Sequence, residues 1–242
     1  MNDNAQQVAQ EVEGHAGQQA IAAMVAFGTD TMFTLNGGHI WPLYDAARDQ
    51  GMKVVDTLHE QTATFAAEAY AKLTRRPGLA ALTAGPGITN GVSAITSSWF
   101  NGAPVVVLGG RAPELRWGSG SLQEIDHVPF VRPLTKFAET AETTAEIPDL
   151  VSDALRATLA PHPGPAFVDF PLDVVFMEAQ EPEQRPEPLP NEPPVGGTIT
   201  RTLFDPRGLA IRTYVGTCDS GATETDPTGD GAAATRHQLE RF

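Results

Sequence analysis

His59-Glu60-Gln61, an alanine-rich run to Leu73, and then Leu79-Ala80-Ala81-Leu82-Thr83-Ala84-Gly85-Pro86-Gly87-Ile88-Thr89-Asn90 decide how this chain is read. The glutamate follows one strand-like run, Lys53 to Val55. The Gly-Pro-Gly turn follows the next, Leu79 to Thr83. Both stand where an α/β sheet presents residues to a ligand, at the carboxyl ends of its strands.

Working outward, apolar runs alternate with glycine- and proline-punctuated turns, a pattern that predicts a mostly parallel sheet flanked by helices. A broken apolar stripe (Val8, Val12, Ile21, Met24, Val25) predicts a helix over about 7–27. Thr31 to Leu35 reads as a buried strand ending in Asn36-Gly37-Gly38-His39. A short helix follows from Trp41 to Arg48, with Pro42 in its tolerated first turn. Glu60 to Leu73 is a long helix, and another runs from Gly87 to about Trp99. Pro104 to Leu108 and Ala166 to Phe170 complete the strands, and residues 111–140 look irregular. Thr143-Thr144-Ala145-Glu146 offers a capping-box start for a helix through Leu159, and Ser121 with Glu124 offers another.

The character changes after Phe176. Glu178 to Pro194 holds six prolines and five glutamates in 17 residues, which reads as an extended linker. The expected division is a domain over 1–177, a Pro/Glu-rich linker over 178–195, and a disordered tail over 196–242. A domain of the first size buries roughly 70% of its unfolded surface, enough for its own core.

Composition narrows the partners. A net charge of −14 repels nucleic acid and anionic membrane. Cys218 is the only cysteine, so neither an intrachain disulfide nor a multi-cysteine metal site is possible. The polar N-terminus has no signal-peptide pattern, and no apolar stretch reaches membrane-spanning length. A soluble, cytoplasmic protein is expected.

Each chemical feature has a bland reading beside a functional one. Glu60 alone reads as a helix-start carboxylate favoured by the helix dipole. The H-E-x-x-H spacing of a metal site is absent around His59. The Gly85-Pro86-Gly87 turn is a tight turn in which Thr89 or Asn90 could cap the helix. Gly37 and Gly38 either turn the chain or let backbone approach a ligand. His39 reads as a solvent-facing loop histidine, Glu68 as structural, and Lys136 equally as a solvated lysine. Gly229-Asp230-Gly231 lacks a preceding apolar strand and a following asparagine, so no metal site is expected there.

Together these motifs resemble the pyrimidine-binding (PYR) domain of thiamine-diphosphate enzymes, and among them the acetolactate synthase large subunit. The resemblance rests on His59 to Tyr70, Thr83 to Gly91, Asn36 to Gly38, Leu122-Gln123-Glu124, Arg132 to Lys136 and Phe167 to Asp173. It implies that Glu60 is catalytic: such a glutamate hydrogen-bonds the N1′ of the cofactor's aminopyrimidine and helps form the ylid that attacks a 2-oxo acid. That role requires a carboxyl group, because the group must give and take a proton. The resemblance further implies that Thr83, Pro86 and Asn90 line the cofactor pocket, and that Gly37, Gly38, Gln123 and Lys136 lie near substrate. Asn36 and His39 depart from the family's usual proline and small residue, and Leu122 from its usual aromatic.

In full-length relatives, further domains bind FAD and hold the diphosphate through Mg²⁺, and two pyruvates (or pyruvate and 2-oxobutyrate) give an acetolactate-type product for branched-chain amino-acid biosynthesis. The resemblance covers residues 8–177 only. This chain is therefore expected to be a truncated half-site for thiamine diphosphate, inactive alone, and a homo-oligomer or a partner of a diphosphate-binding domain. Two other readings stand beside it: another 2-oxo acid decarboxylase or carboligase, and a noncatalytic module pairing with a full-length paralogue.

Overall fold

Val105, Val106, Val107 and Leu108 are all fully buried, yet they face two different layers, because successive side chains of a strand point to opposite faces. Val106 and Leu108 join Met32, Leu79, Ala81, Val168 and Phe170 in one apolar cluster. Val105 and Val107 join Ala80, Leu82 and Phe167 in the other. A sheet buried on both faces explains why its strands read as continuous apolar runs rather than alternating ones.

The computed structural model describes residues 14–179, 198–204 and 210–217. The chain divides into two units, Met1–Pro188 and Leu189–Phe242. The first contains α1 (Ala16–Ala26), β1 (Thr31–Leu35), α2 (Trp41–Asp49), β2 (Lys53–Asp56), α3 (Glu60–Thr74), β3 (Gly78–Leu82), α4 (Pro86–Phe100) and β4 (Val105–Arg111). It continues through α5 (Val128–Val131), β5 (Phe137–Thr140), α6 (Ile147–Leu159), β6 (Ala166–Pro171) and α7 (Leu172–Phe176). The six strands run parallel in the order β2-β1-β3-β4-β6-β5. This is the α/β fold expected, with helices on both faces.

The order reverses beside β1: β2 lies on one side of it and β3 on the other. A crevice opens at such a switch point, outside the carboxyl ends of the strands. Register aligns Leu35 with Leu82, and Leu82 with Gly109, so the segments after β1, β3 and β4 emerge together.

The first helix is described from Ala16, so the expected turns over residues 7–13 lie outside the described residues. Ile21 and Met24 are buried as the stripe required, but Val25 is 40% exposed. The region read as irregular holds β5, an edge strand of sequence Phe-Ala-Glu-Thr. Neither capping box starts a helix. Glu124 Oε2 does accept from Ser121 N–H at 3.0 Å, but Gln123 sits at φ 60° and the chain turns instead. Likewise α6 begins only at Ile147, with Thr144 Oγ1 buried and unpaired among the described residues.

The unit closes on itself. Ala16 N–H donates to Met177 C=O at 2.8 Å, and Ala179 N–H to Gly14 C=O at 2.7 Å. In the second unit the structure describes β7 (Thr198–Phe204) and β8 (Ala210–Thr217), an antiparallel pair with an irregularity at Leu203/Phe204. These strands lie within residues 196–242, the stretch set apart from the first domain in the sequence. The Pro/Glu-rich run from 180 and the Gly229-Asp230-Gly231 segment lie outside the described residues.

Candidate functional site

Glu60 opens α3. The loop before it is tied to β1 by Thr57, whose N–H and Oγ1 both donate to Thr34 C=O, at 2.8 and 3.0 Å. His59 is extended (φ −159°, ψ 140°), and its Nδ1 accepts from Gln61 N–H at 3.1 Å. An imidazole therefore does the N-capping work usually given to Ser, Thr, Asp or Asn. The Glu60 side chain turns inward and is only 8% exposed. Its Oε2 accepts from Asn90 Nδ2 at 3.0 Å. Its Oε1 has no hydrogen bond among the described residues and lies 3.7 Å from where a Cβ on Gly87 would stand.

Thr83 is the centre about which backbone closes. A Cβ on Gly37 would lie 2.3 Å from Thr83 Cβ and Oγ1, and one on Gly87 2.7 Å from Thr83 Cγ2. Only hydrogen fits at either position. Gly85, the residue before α4, has φ 60° and ψ −117°, and a Cβ there would meet the Gln123 carbonyl oxygen at 2.9 Å. Thr89 and Asn90 do not cap α4: Asn90 is spent on Glu60.

His39 overturns its expected place. It is 6% exposed, its Nδ1 is 3.4 Å from Thr83 Oγ1, and a Cβ on Gly110 would strike its Cβ at 2.5 Å. Burial holds its pKa below the ordinary histidine value. A bond to the Leu122 backbone opposes that shift, and nearby His127 adds to it. A buried imidazole of this kind is neutral at pH 7. Glu68 is buried as a structural residue, bonded by Lys72 (2.6 Å), Asn101 (2.8 Å) and Ser98 (3.3 Å).

Gly37, Gly38, Glu60, Thr83 and Gln123 line one cavity of about 890 Å³, rimmed by Asn36, Trp41, Arg116, Leu122 and Phe176. Asn90 reaches it through Glu60. Pro86 is exposed at the first position of α4 and is not among the lining residues. Lys136 lies elsewhere. It precedes β5, at the amino end of the parallel sheet, and its Nζ donates to the Ala160 and Pro161 carbonyls at 3.0 and 3.3 Å.

Sequence reasoning passed over one buried pair, His127 and Asp169, with Nδ1 and Oδ2 at 2.8 Å and neither side chain exposed. The signal was present: Asp169 is the one charged residue in the apolar run Ala166-Phe167-Val168-Asp169-Phe170, and a buried charge needs a partner.

Residues 15–130 match the model for the thiamine pyrophosphate enzyme N-terminal TPP binding domain. They belong to that family. The chain is 54% identical over 191 residues to the acetolactate synthase large subunit IlvG of Mycobacterium tuberculosis, covering 79% of this chain and 35% of that protein. It is 42% identical over 173 residues to the 2-hydroxyacyl-CoA lyase 2 of Caenorhabditis elegans, covering 72% and 27%. With the human 2-hydroxyacyl-CoA lyase 2 it shares 36% over 231 residues, covering 94% and 35%. The chain thus spans about a third of the length of these relatives. Among the described residues, no helix is long and apolar enough to cross a membrane, and no three His, Cys, Asp or Glu side chains gather to hold a metal ion.

The TPP-binding domain's residues suit the aminopyrimidine end of the cofactor. Glu60 Oε2 is held by Asn90 while Oε1 is left without a side-chain donor among the described residues, and the glycines at 37 and 87 let the backbone close on Thr83 beside it.

Proposed function

We propose that this chain supplies the pyrimidine half-site of a thiamine-diphosphate enzyme of the acetolactate synthase type, acting on 2-oxo acids such as pyruvate, with Glu60 as its proton-exchanging carboxyl. The observation that carries the reading is the Glu60 side chain: 8% exposed, at the switch point of a parallel sheet, with one oxygen held by Asn90 and the other against the Gly87 cradle. When bound, the cofactor supplies the nucleophilic carbon that adds to the substrate's carbonyl.

The chain's own part is to hold and move one proton. Asn90, a pure donor through Nδ2, fixes Oε2 and so aims Oε1. Oε1 is then the atom that trades the proton with a ring nitrogen in the cradle. Neutral His39 and the Gln123 turn wall the substrate side. The diphosphate, Mg²⁺ and FAD would be held by groups other than these residues, which serve the pyrimidine end alone.

Glu60→Gln tests this directly. It keeps shape but cannot exchange a proton, and general acid–base groups contribute roughly 10²–10⁴ in rate. Turnover of pyruvate by the chain assembled with a diphosphate-binding partner should fall by about that factor. Near-normal turnover would refute the reading.

A second reading is favoured by the likeness to the nematode and human 2-hydroxyacyl-CoA lyases. The same carboxyl and cofactor would then cleave a 2-hydroxyacyl thioester. Assaying one assembly with pyruvate and with a 2-hydroxyacyl-CoA separates the two.

A further inference from the structure

Beside the cavity runs a chain of hydrogen bonds that the proposed reaction does not use. Arg111 Nη1 donates to Thr140 Oγ1 at 3.0 Å. Thr140 Oγ1 lies 2.6 Å from Asp169 Oδ1 and donates to it. Asp169 Oδ2 is 2.8 Å from His127 Nδ1. On the far side of the ring, Gly85 N–H donates to His127 Nε2 at 2.9 Å. The ring is fully buried and packs edge-on against Phe167, with centroids 6.4 Å apart.

The direction of every proton in this chain is set by its two ends. A guanidinium and a backbone N–H can only donate. Arg111 occupies Thr140 as an acceptor, which leaves the threonine hydrogen for Asp169. Gly85 occupies Nε2, so the imidazole carries its proton on Nδ1, where the carboxylate accepts it. The opposite tautomer would set N–H against N–H at Gly85 and a bare nitrogen against the carboxylate.

Gly85 is where this matters. It precedes α4 without a side chain to cap it, in a backbone conformation that side chains rarely adopt. Two residues on, Gly87 forms the cradle under Glu60, and one turn on, Asn90 holds its carboxyl. We propose that His127 and Asp169 are positioning residues: their one-directional hydrogen-bond chain locks the His127 tautomer, which pins the Gly85-Pro86-Gly87 turn and so fixes the seat of Glu60. The positioning role rests on the reading of Glu60 given above. The tautomer itself does not.

Long-range ¹H–¹⁵N correlation spectra of the full chain, with its histidines assigned, test this without any ligand. The wild-type His127 ring should show a protonated Nδ1 and a bare Nε2, and the Gly85 amide should be protected from exchange. In Asp169→Asn, keeping the Thr140 bond places the amide NH₂ against Nδ1, which drives the ring to the Nε2–H form, as an Asp-to-Asn change does in other Asp–His pairs. Exchange of the Gly85 amide should then quicken about tenfold or more, the equivalent of one lost hydrogen bond. The Asn90 side-chain amide resonance should move with it. A wild-type ring protonated on Nε2 overturns the inference even if the variant fails to fold. So does an Asp169→Asn chain whose tautomer and Gly85 protection are unchanged. Because no cofactor enters the measurement, its result is separate from whether Glu60 meets a thiamine ring.

Discussion

Asn90 Nδ2 donates to Glu60 Oε2 across 3.0 Å, joining the first turns of two helices that follow different strands. β2 leads into α3 and β3 into α4, and β1 lies between those strands in the sheet. The bond therefore spans the switch point itself. It converts two independent helix starts into one rigid carboxyl site.

That bond can be removed without emptying the core, because Asn90 sits at the surface end of its helix turn. Asn90→Leu keeps the volume and deletes the donor. A hydrogen bond to a charged group is worth about 1.5–3 kcal/mol, so kcat/KM of the assembled enzyme should drop roughly 10- to 100-fold. A variant with unchanged kcat/KM would mean that Glu60 needs no orienting donor.

The two glycines after β1 should part company. Gly37 has extended backbone that any residue can adopt, but its missing Cβ would overlap Thr83 at 2.3 Å. Gly38 has no atom within 4 Å of that position. Gly37→Ala should cost about 1–3 kcal/mol by overpacking, while Gly38→Ala stays within about 0.5 kcal/mol. Equal urea midpoints for the two variants would contradict the packing described around Thr83.

Much of this was legible in the chain, and the reasons differ by element. β1 spans the residues expected for it, and β3 and β6 fall within a residue of theirs, because buried parallel strands are unbroken apolar runs between turn residues. β5 was not legible, since Phe137-Ala138-Glu139-Thr140 is a half-polar edge strand with no such run. The strand order was not legible either, because nothing local records which neighbours a crossover selects. Gly37, Glu60, Thr83 and Gln123 could be gathered from motif order alone. The burial of His39 could not: it depends on Gly110, 71 positions later, leaving room for it. Lys136 fails to reach the cavity for a similar reason, as strand direction puts it at the other end of the sheet.

Gly85→Ala should be far more damaging than Gly38→Ala. The Gly85 φ of 60° with ψ −117° strains any side chain, and the added Cβ would meet backbone atoms of Gln123, which cannot swing aside. Strain of about 1–3 kcal/mol and overpacking of similar size act together. The turn should loosen before the domain unfolds. Faster amide exchange confined to 84–91 and 121–127 would report that loosening; unaltered exchange there would count against it.

Glu68 gives the fold an acid sensitivity of definite sign. Burial pushes its carboxyl pKa up, but the hydrogen bonds it accepts, from Lys72 first and also from Asn101, with the Lys72 charge, outweigh burial and leave it below the usual value. A carboxyl whose folded pKa is lowered binds its proton more readily when unfolded. Its contribution to stability is therefore complete above the ordinary glutamate value of about 4.3 and is lost as pH falls through the lower folded value. Urea midpoints of the wild type and Glu68→Gln, measured from about pH 7 to about pH 3, should differ by a constant amount above about pH 5 and converge in acid. A gap that persists undiminished to the acid limit would show that the carboxylate's charge is not what binds α3 to α4.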